Sequence, residues 1–275
     1  MKITNLDPKK YKRFFAFGCS FTNYQWLTWA DIIGNDIDYY ENWGWPGAGN
    51  HFIFNSVIEA DAKHKFTKDD LVIIFWSTKE REDRYYIDKW TTATPSGMEE
   101  VYGKAWVKKY ALDHRSFLMR DLAYMKAIQT ILTNKECDWA NFGWYEFFNS
   151  KILREQFQGI VPTREQLLQW KEKSEVVYRG GVIADFFDDR DVIKLYQDVF
   201  TNIDATYKWF NDGRIEPRIV PDNDLHPTPE EALGFLDWVW PNNTLSNSAR
   251  ELTKEWQLKI FKPHGRPDRK EPNRL

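Results

Sequence analysis

Six consecutive residues, Leu71-Val72-Ile73-Ile74-Phe75-Trp76, are apolar without alternation. A strand with one wet face alternates polar and apolar side chains. A run that is apolar on both faces and rich in β-branched residues has to be covered on both, as a central parallel strand is. A shorter run, Phe14-Phe15-Ala16-Phe17, follows the basic stretch 9–13 and stops at Gly18, so it reads as a first buried strand. Residues 37–42 read as a second strand and 137–145 as a later one. The segments between them read as helices. Residues 23–33 carry Tyr24, Trp26, Leu27, Ala30 and Ile33 before a stop at Gly34. Asn50 stands as the N-cap of a helix over 51–63. Residues 115–132 place Leu118, Leu122, Met125, Ile128, Ile131 and Leu132 on one side. Residues 216–220 read as a last short strand. Thr228 then opens a helix that runs to Trp240, with Pro229 at its first position and Glu231 in a capping-box place. Strands alternating with helices predict an α/β fold. The expected form is a three-layer α/β/α sandwich with a mostly parallel, five-stranded, flavodoxin-like sheet and a helical insertion.

At 275 residues the chain suffices for one large domain. That domain is expected over 1–261, with insertions at about 79–113 and 146–212 and a flexible, basic, Pro-rich tail at 262–275. A net charge of -3 supplies no global basic field, so neither nucleic acid nor an anionic membrane is an expected partner. No 18-residue apolar run occurs and the opening residues lack the long apolar stretch of a signal peptide, so a cytoplasmic protein is expected. Cys19 and Cys137 are too few for a disulfide framework or a Cys-rich zinc site. No cofactor or metal is expected. Aromatics reach 17%, with 14 Trp. That excess fits a carbohydrate-facing surface, but dense aromatic packing is the plainer reading.

Four segments carry chemistry-bearing residues. Gly18-Cys19-Ser20-Phe21-Thr22 follows the first strand, so Ser20 is expected at a helix N-terminus on the carboxyl edge of a sheet, where N–H groups favour a developing oxyanion. Taken alone, Ser20 is more simply an N-cap. Asn42-Trp43-Gly44-Trp45-Pro46-Gly47-Ala48-Gly49-Asn50 holds three glycines that let backbone approach a substrate, or simply make a tight turn. Trp76-Ser77-Thr78-Lys79-Glu80-Arg81-Glu82-Asp83 overhangs the same edge, or forms a solvated charge cluster. Asp222-Asn223-Asp224-Leu225-His226-Pro227-Thr228 sets carboxylates beside an imidazole, as a general base requires. A surface loop and a metal site are its other readings.

In order and spacing these four segments together resemble the SGNH/GDSL hydrolase superfamily. Gly18-Cys19-Ser20 looks like its first block, with Cys where Asp is usual. Gly47 looks like its second, and Asp224-Leu225-His226-Pro227 before a helix looks like its last. The Phe-Gly-Cys-Ser-Phe-Thr wording is similar to divergent members from phages and other large viruses, which would place the protein in a host cytoplasm. The resemblance covers about 14–80 and 215–240. Two departures matter. The family's Gly-x-Asn-Asp after strand three is here Trp76-Ser77-Thr78-Lys79, so the oxyanion-binding Asn is missing. The family's Asp three residues before the His is here Asn223.

The resemblance implies a serine esterase that works through an acyl-enzyme and needs no cofactor. Ser20 would be nucleophile, His226 base and Asp224 the triad acid, with Asp222 in reserve. Backbone N–H groups of Ser20 and Gly47, with a hydroxyl from Ser77 or Thr78, would form the oxyanion hole. Trp45 and Trp76, with Trp43 nearby, would offer stacking faces to a carbohydrate ester, and Arg81 would hold a negative group. For the tryptophans core packing is the plainer reading, and for Arg81 an ion pair with a neighbouring carboxylate. Two alternatives stay open. One is a weakened hydrolase scaffold acting as a viral binding or structural accessory protein. The other is a metal-dependent hydrolase using Asp222, Asp224 and His226.

Overall fold

The computed structural model describes residues 3–94, 97–111, 114–143, 224 and 226–260. The chain divides into two compact units, residues 1–147 with 202–275, and residues 148–201. All described residues belong to the first.

The class is α/β. Four strands, β1 (Arg13–Phe17), β2 (Tyr39–Asn42), β3 (Asp70–Trp76) and β6 (Asp138–Gly143), pair in the order β2-β1-β3-β6, and every pairing is parallel. The central run is buried at all seven positions of β3, as its unbroken apolar character demands. Residues 216–220, expected as a fifth strand, lie outside the described residues, as does the expected insertion at 146–212.

Helices α1 (Trp29–Gly34), α2 (Asn50–His64) and α3 (His114–Asn134) connect these strands, and α4 (Pro229–Val239) and α5 (Asn247–Ile260) close the described chain. Side-chain alternation decides what each packs against. Phe14 and Ala16 of β1, with Leu71, Ile73 and Phe75 of β3, join a core built with α1, α4 and α5. Phe15 and Phe17 point the other way, toward Phe66. Phe235 of α4 is the keystone of the first core. Its ring lies 6.1 Å from Phe75 and 5.3 Å from Phe142, each edge-on.

The amino ends of the strands are pinned by polar contacts. Arg13 donates to both oxygens of the buried Asp70, at 2.7 and 2.6 Å. That fork joins directly paired residues and holds β1 and β3 in register. The carboxyl ends remain for the loops that carry the candidate site.

Two expectations are corrected. The helix expected over 23–33 begins only at Trp29. Asp31 accepts the Thr28 N–H at 2.8 Å and makes the cap there. The apolar residues before it are buried in an irregular segment; Trp26, 1% exposed, donates its indole N–H to the Pro227 carbonyl at 2.6 Å. Asn50 is the first residue of α2 rather than its cap, which is Gly49. The expected insertion at about 79–113 has structure of its own. It holds a hairpin of β4 (Glu82–Tyr86) and β5 (Lys89–Ala93), followed by short helical turns. Its two-residue turn lacks an Asn-Gly signal, and Ile87 takes φ 59° there, a conformation that disfavours β-branched residues.

Truncation of Phe235 removes the ring that ties α4 to the sheet. Phe235→Ala is expected to lower the unfolding free energy by about 3–5 kcal/mol, read from urea titration by circular dichroism. A loss below about 1 kcal/mol would mean that α4 is not anchored in this way.

Candidate active site

Ser20 lies just beyond β1, in a tight turn in which Thr22 and Asn23 both donate their N–H groups to the Cys19 carbonyl, at 2.9 and 3.1 Å. The expected position at a helix N-terminus is therefore corrected. Neighbouring loops hold the turn in place. Trp45 N–H donates to the Gly18 carbonyl at 3.0 Å, the Asn23 amide donates to the Gly44 carbonyl at 2.9 Å, and Asn42 donates to the Thr22 carbonyl at 2.8 Å. Gly18 has no room for a side chain: a Cβ there would meet Thr22 Oγ1 at 2.1 Å and the Phe75 carbonyl at 2.9 Å.

The His226 segment reaches Ser20 because α4 begins right after it. Thr228 caps that helix, accepting the Glu231 N–H, while Glu231 accepts the Thr228 N–H at 2.9 Å. His226 Nε2 lies 2.8 Å from Ser20 Oγ, a contact between residues 206 apart in sequence. Its Nδ1 lies 2.6 Å from Asp224 Oδ1. A carboxylate accepts only, so this pairing puts the ring proton on Nδ1 and leaves Nε2 to accept from the serine hydroxyl. The three side chains are thus in series.

Asp224 Oδ1 also accepts the His226 backbone N–H at 2.9 Å. With one residue between acid and base, a single oxygen serves both donors. The other oxygen, Oδ2, accepts the Tyr24 hydroxyl. Burial pushes the Asp224 carboxyl up, but the hydrogen bonds from Tyr24 and from the His226 backbone and ring outweigh it. The group ends below the ordinary carboxylate value. Asp222 and Asn223 lie outside the described residues.

Two aromatic rings lie against the imidazole. Tyr24 stacks on it with centroids 3.7 Å apart and planes 15° from parallel, and Phe21 lies 5.3 Å away. A pocket of about 20 Å³ opens beside Ser20 and His226. Its apolar lining includes Phe21, Trp29, Phe75, Ala232 and Phe235.

The expected oxyanion and substrate residues fare unevenly. Gly47 takes φ +84° in a turn closed by Ala48 N–H donating to the Trp45 carbonyl at 2.9 Å. That positive φ explains the glycine. Thr78 is half-buried, but Ser77 is completely buried, which removes it as a donor to a bound substrate. Trp76 is also completely buried and offers no stacking face. Trp43 packs on Phe17 and donates its indole N–H to Glu41 at 2.8 Å. Only Trp45 of the three tryptophans keeps both partial exposure and a backbone bond to the serine loop. Arg81 donates to the Ala48 carbonyl at 2.8 Å, bracing the glycine loop.

The loop after β3 is braced by Asn50, at the end of the glycine segment, and by Asp121 and Arg120, which lie outside the four segments. Asn50 Oδ1 accepts the Ser77 N–H at 2.8 Å, and its amide donates to the Ser77 carbonyl and to Asp121 at 3.1 and 2.6 Å. Asp121 of α3 is fully buried, and Arg120 donates to its other oxygen at 3.0 Å. Burial pushes the Asp121 carboxyl up to about 7, against the pull of Arg120 and Asn50.

Comparison with protein-family models finds no match, and no curated protein matches the chain at a significant level. The geometry therefore carries the functional argument. Sequence reasoning missed Tyr24, whose aromatic neighbours suggested a helix face, and Asn50 and Asp121, whose partnership joins elements 71 residues apart. Among the described residues no group of three or more His, Cys, Asp or Glu side chains is arranged to hold a metal ion.

Asp121 has a pH signature with a definite sign. Its folded-state pKa is above its unfolded one, so between them the unfolded state binds fewer protons, and stability from this group falls as pH rises from about 4 to about 7. Asp121→Asn is expected to remove that slope, measured as the difference in denaturant midpoint between variant and wild type across this range. Parallel curves would contradict the assignment.

Proposed function

We propose that this chain is an SGNH-type serine hydrolase that cleaves small acyl esters, with the three-layer α/β/α architecture of that superfamily. The observation that carries the reading is the Ser20–His226–Asp224 series, with links of 2.8 and 2.6 Å. A buried hydroxyl facing a neutral imidazole nitrogen, with a carboxylate on the far nitrogen, is the arrangement by which a weak nucleophile is activated.

In the proposed reaction, His226 Nε2 takes the Ser20 proton as Oγ attacks the ester carbonyl. Asp224 stabilises the imidazolium that forms. The oxyanion is met by the backbone N–H groups of Ser20 and Gly47 and by the Thr78 hydroxyl. The tetrahedral intermediate collapses, His226 protonates the departing alcohol, and an acyl-Ser20 ester remains. Water, deprotonated by His226, then releases the acid. No cofactor enters these steps.

The pocket beside the nucleophile supports a small acyl group. Its volume of about 20 Å³ holds one group of roughly water or methyl size, which fits acetyl. The partly exposed Trp45 is the supporting feature for a carbohydrate alcohol. One observation favours the weakened-scaffold alternative: Asn23, Asn42 and Asn50 all direct their amides to protein acceptors. Loss of one oxyanion donor typically costs 10²–10³ in kcat, so slow turnover is expected.

The test is hydrolysis of 4-nitrophenyl esters. Acetate is expected to be cleaved at least about tenfold faster than butyrate, because two surplus methylenes do not fit the pocket. Ser20→Ala and His226→Ala should each abolish Ser20-dependent turnover, and a fluorophosphonate should label wild type but not Ser20→Ala. No labelling and no turnover would sink the enzyme reading in favour of the scaffold. Activity lost to a chelator would favour a metal.

A further inference from the structure

We propose that Tyr24 is a positioning residue of the candidate active site: its hydroxyl fixes the second oxygen of Asp224 while its ring fixes the plane of the His226 imidazole. The catalytic consequence rests on the hydrolase reading above, but the positioning itself can be measured without it.

The need for such a residue follows from the short Asp224-Leu225-His226 spacing. Oδ1 of Asp224 accepts two bonds from His226, one from the backbone N–H at 2.9 Å and one facing Nδ1 at 2.6 Å. Both fall on Oδ1 rather than Oδ2. The Asp224 side chain is only 13% exposed, so solvent is a poor substitute partner. Tyr24, 200 residues away in sequence, donates its hydroxyl to Oδ2. That third contact stops the carboxylate from pivoting about its Oδ1 bonds.

The ring does a second job. It lies flat against the imidazole, with centroids 3.7 Å apart and a 15° tilt, so His226 cannot swing about its side-chain bonds toward that side. Tyr24 is itself held. Trp26 meets its ring edge-on at 4.6 Å, and the Trp26 indole is anchored on the Pro227 carbonyl at 2.6 Å. The chain from Trp26 through Tyr24 thus starts and ends on the His226 segment. A π-face against the imidazole also favours its protonated form, the form it takes as Ser20 attacks.

The two contributions have opposite electrostatic signs. The hydroxyl offsets part of the Asp224 charge, and its loss leaves more negative charge facing the ring, which favours protonated His226. Loss of the ring face disfavours it. Besides Tyr24 and His226 itself, the titratable group lining this pocket among the described residues is Glu231, which accepts the Thr228 N–H in the α4 cap.

Tyr24→Phe keeps the ring and removes only the hydroxyl, so the fold should survive. We expect kcat for 4-nitrophenyl acetate to fall about tenfold, the scale of one hydrogen bond to a charged group, with KM within about twofold. The acid limb of the pH–rate profile, which reports neutral His226, should move to higher pH. Tyr24→Leu should lower kcat further and move the limb back toward lower pH. A merely structural residue would lower the melting temperature and leave the limb in place. NMR titration of the His226 ring, assigned with His226→Gln, gives a reading independent of turnover: a higher midpoint in Tyr24→Phe than in wild type supports the proposal. Equal midpoints, with equal kcat where turnover exists, overturn it. Absence of turnover in wild type would remove the hydrolase reading and leave the NMR comparison to decide the positioning.

Discussion

Double-sided burial of β1 and β3 is the constraint on which the other features depend. Neither strand has a wet face for functional side chains, since all of β3 and four of the five residues of β1 are buried. Polar groups can stand only at the strand ends. At the amino ends they are spent on register, through the fork of Arg13 on Asp70. At the carboxyl ends the parallel arrangement delivers two loops side by side, one after each strand. Ligands in open α/β sheets bind at this edge for the same reason.

Most of the site's rigidity comes from backbone carbonyls captured by side chains. Asn23, Asn42, Asn50 and Arg81 each hold a loop carbonyl, and Trp26 holds that of Pro227. These bonds substitute for the regular secondary structure that the 18–28 and 43–49 segments lack. They also explain why no asparagine amide among those three is offered to a substrate. These asparagines have put their amides into scaffolding, so the proposed reaction has to draw its oxyanion donors from backbone N–H groups and Thr78.

What was legible in the sequence follows from what kind of force each feature expresses. The apolar runs of β1 and β3 gave those strands within a residue, because burial is written directly in composition. The α4 start was legible because Thr228, Pro229 and Glu231 form a local cap. The pairing of Ser20, His226 and Asp224 was reached by resemblance, and the geometry brings those three together. The late start of α1 was not legible, since Tyr24, Trp26 and Leu27 show the spacing of a helix face while Trp26 is buried by a contact with Pro227. The burial of Ser77 was hidden: it follows the strand in sequence, but Asn50, itself bonded to Asp121, holds its backbone inward. Trp76 ends the buried strand, and core packing was its plainer reading. Helix α5 was missed although Ser246 caps it, accepting the Ala249 N–H at 3.1 Å. Tyr24 was invisible as a site residue, because its partners lie 200 positions away.

The central claim is that Ser20 and His226 act on one another. A crystal structure of the protein treated with a fluorophosphonate tests it most directly. The account predicts phosphorus bonded to Ser20 Oγ, with the His226 ring still between that group and Asp224. An unmodified Ser20 with its hydroxyl turned away from His226 would contradict it.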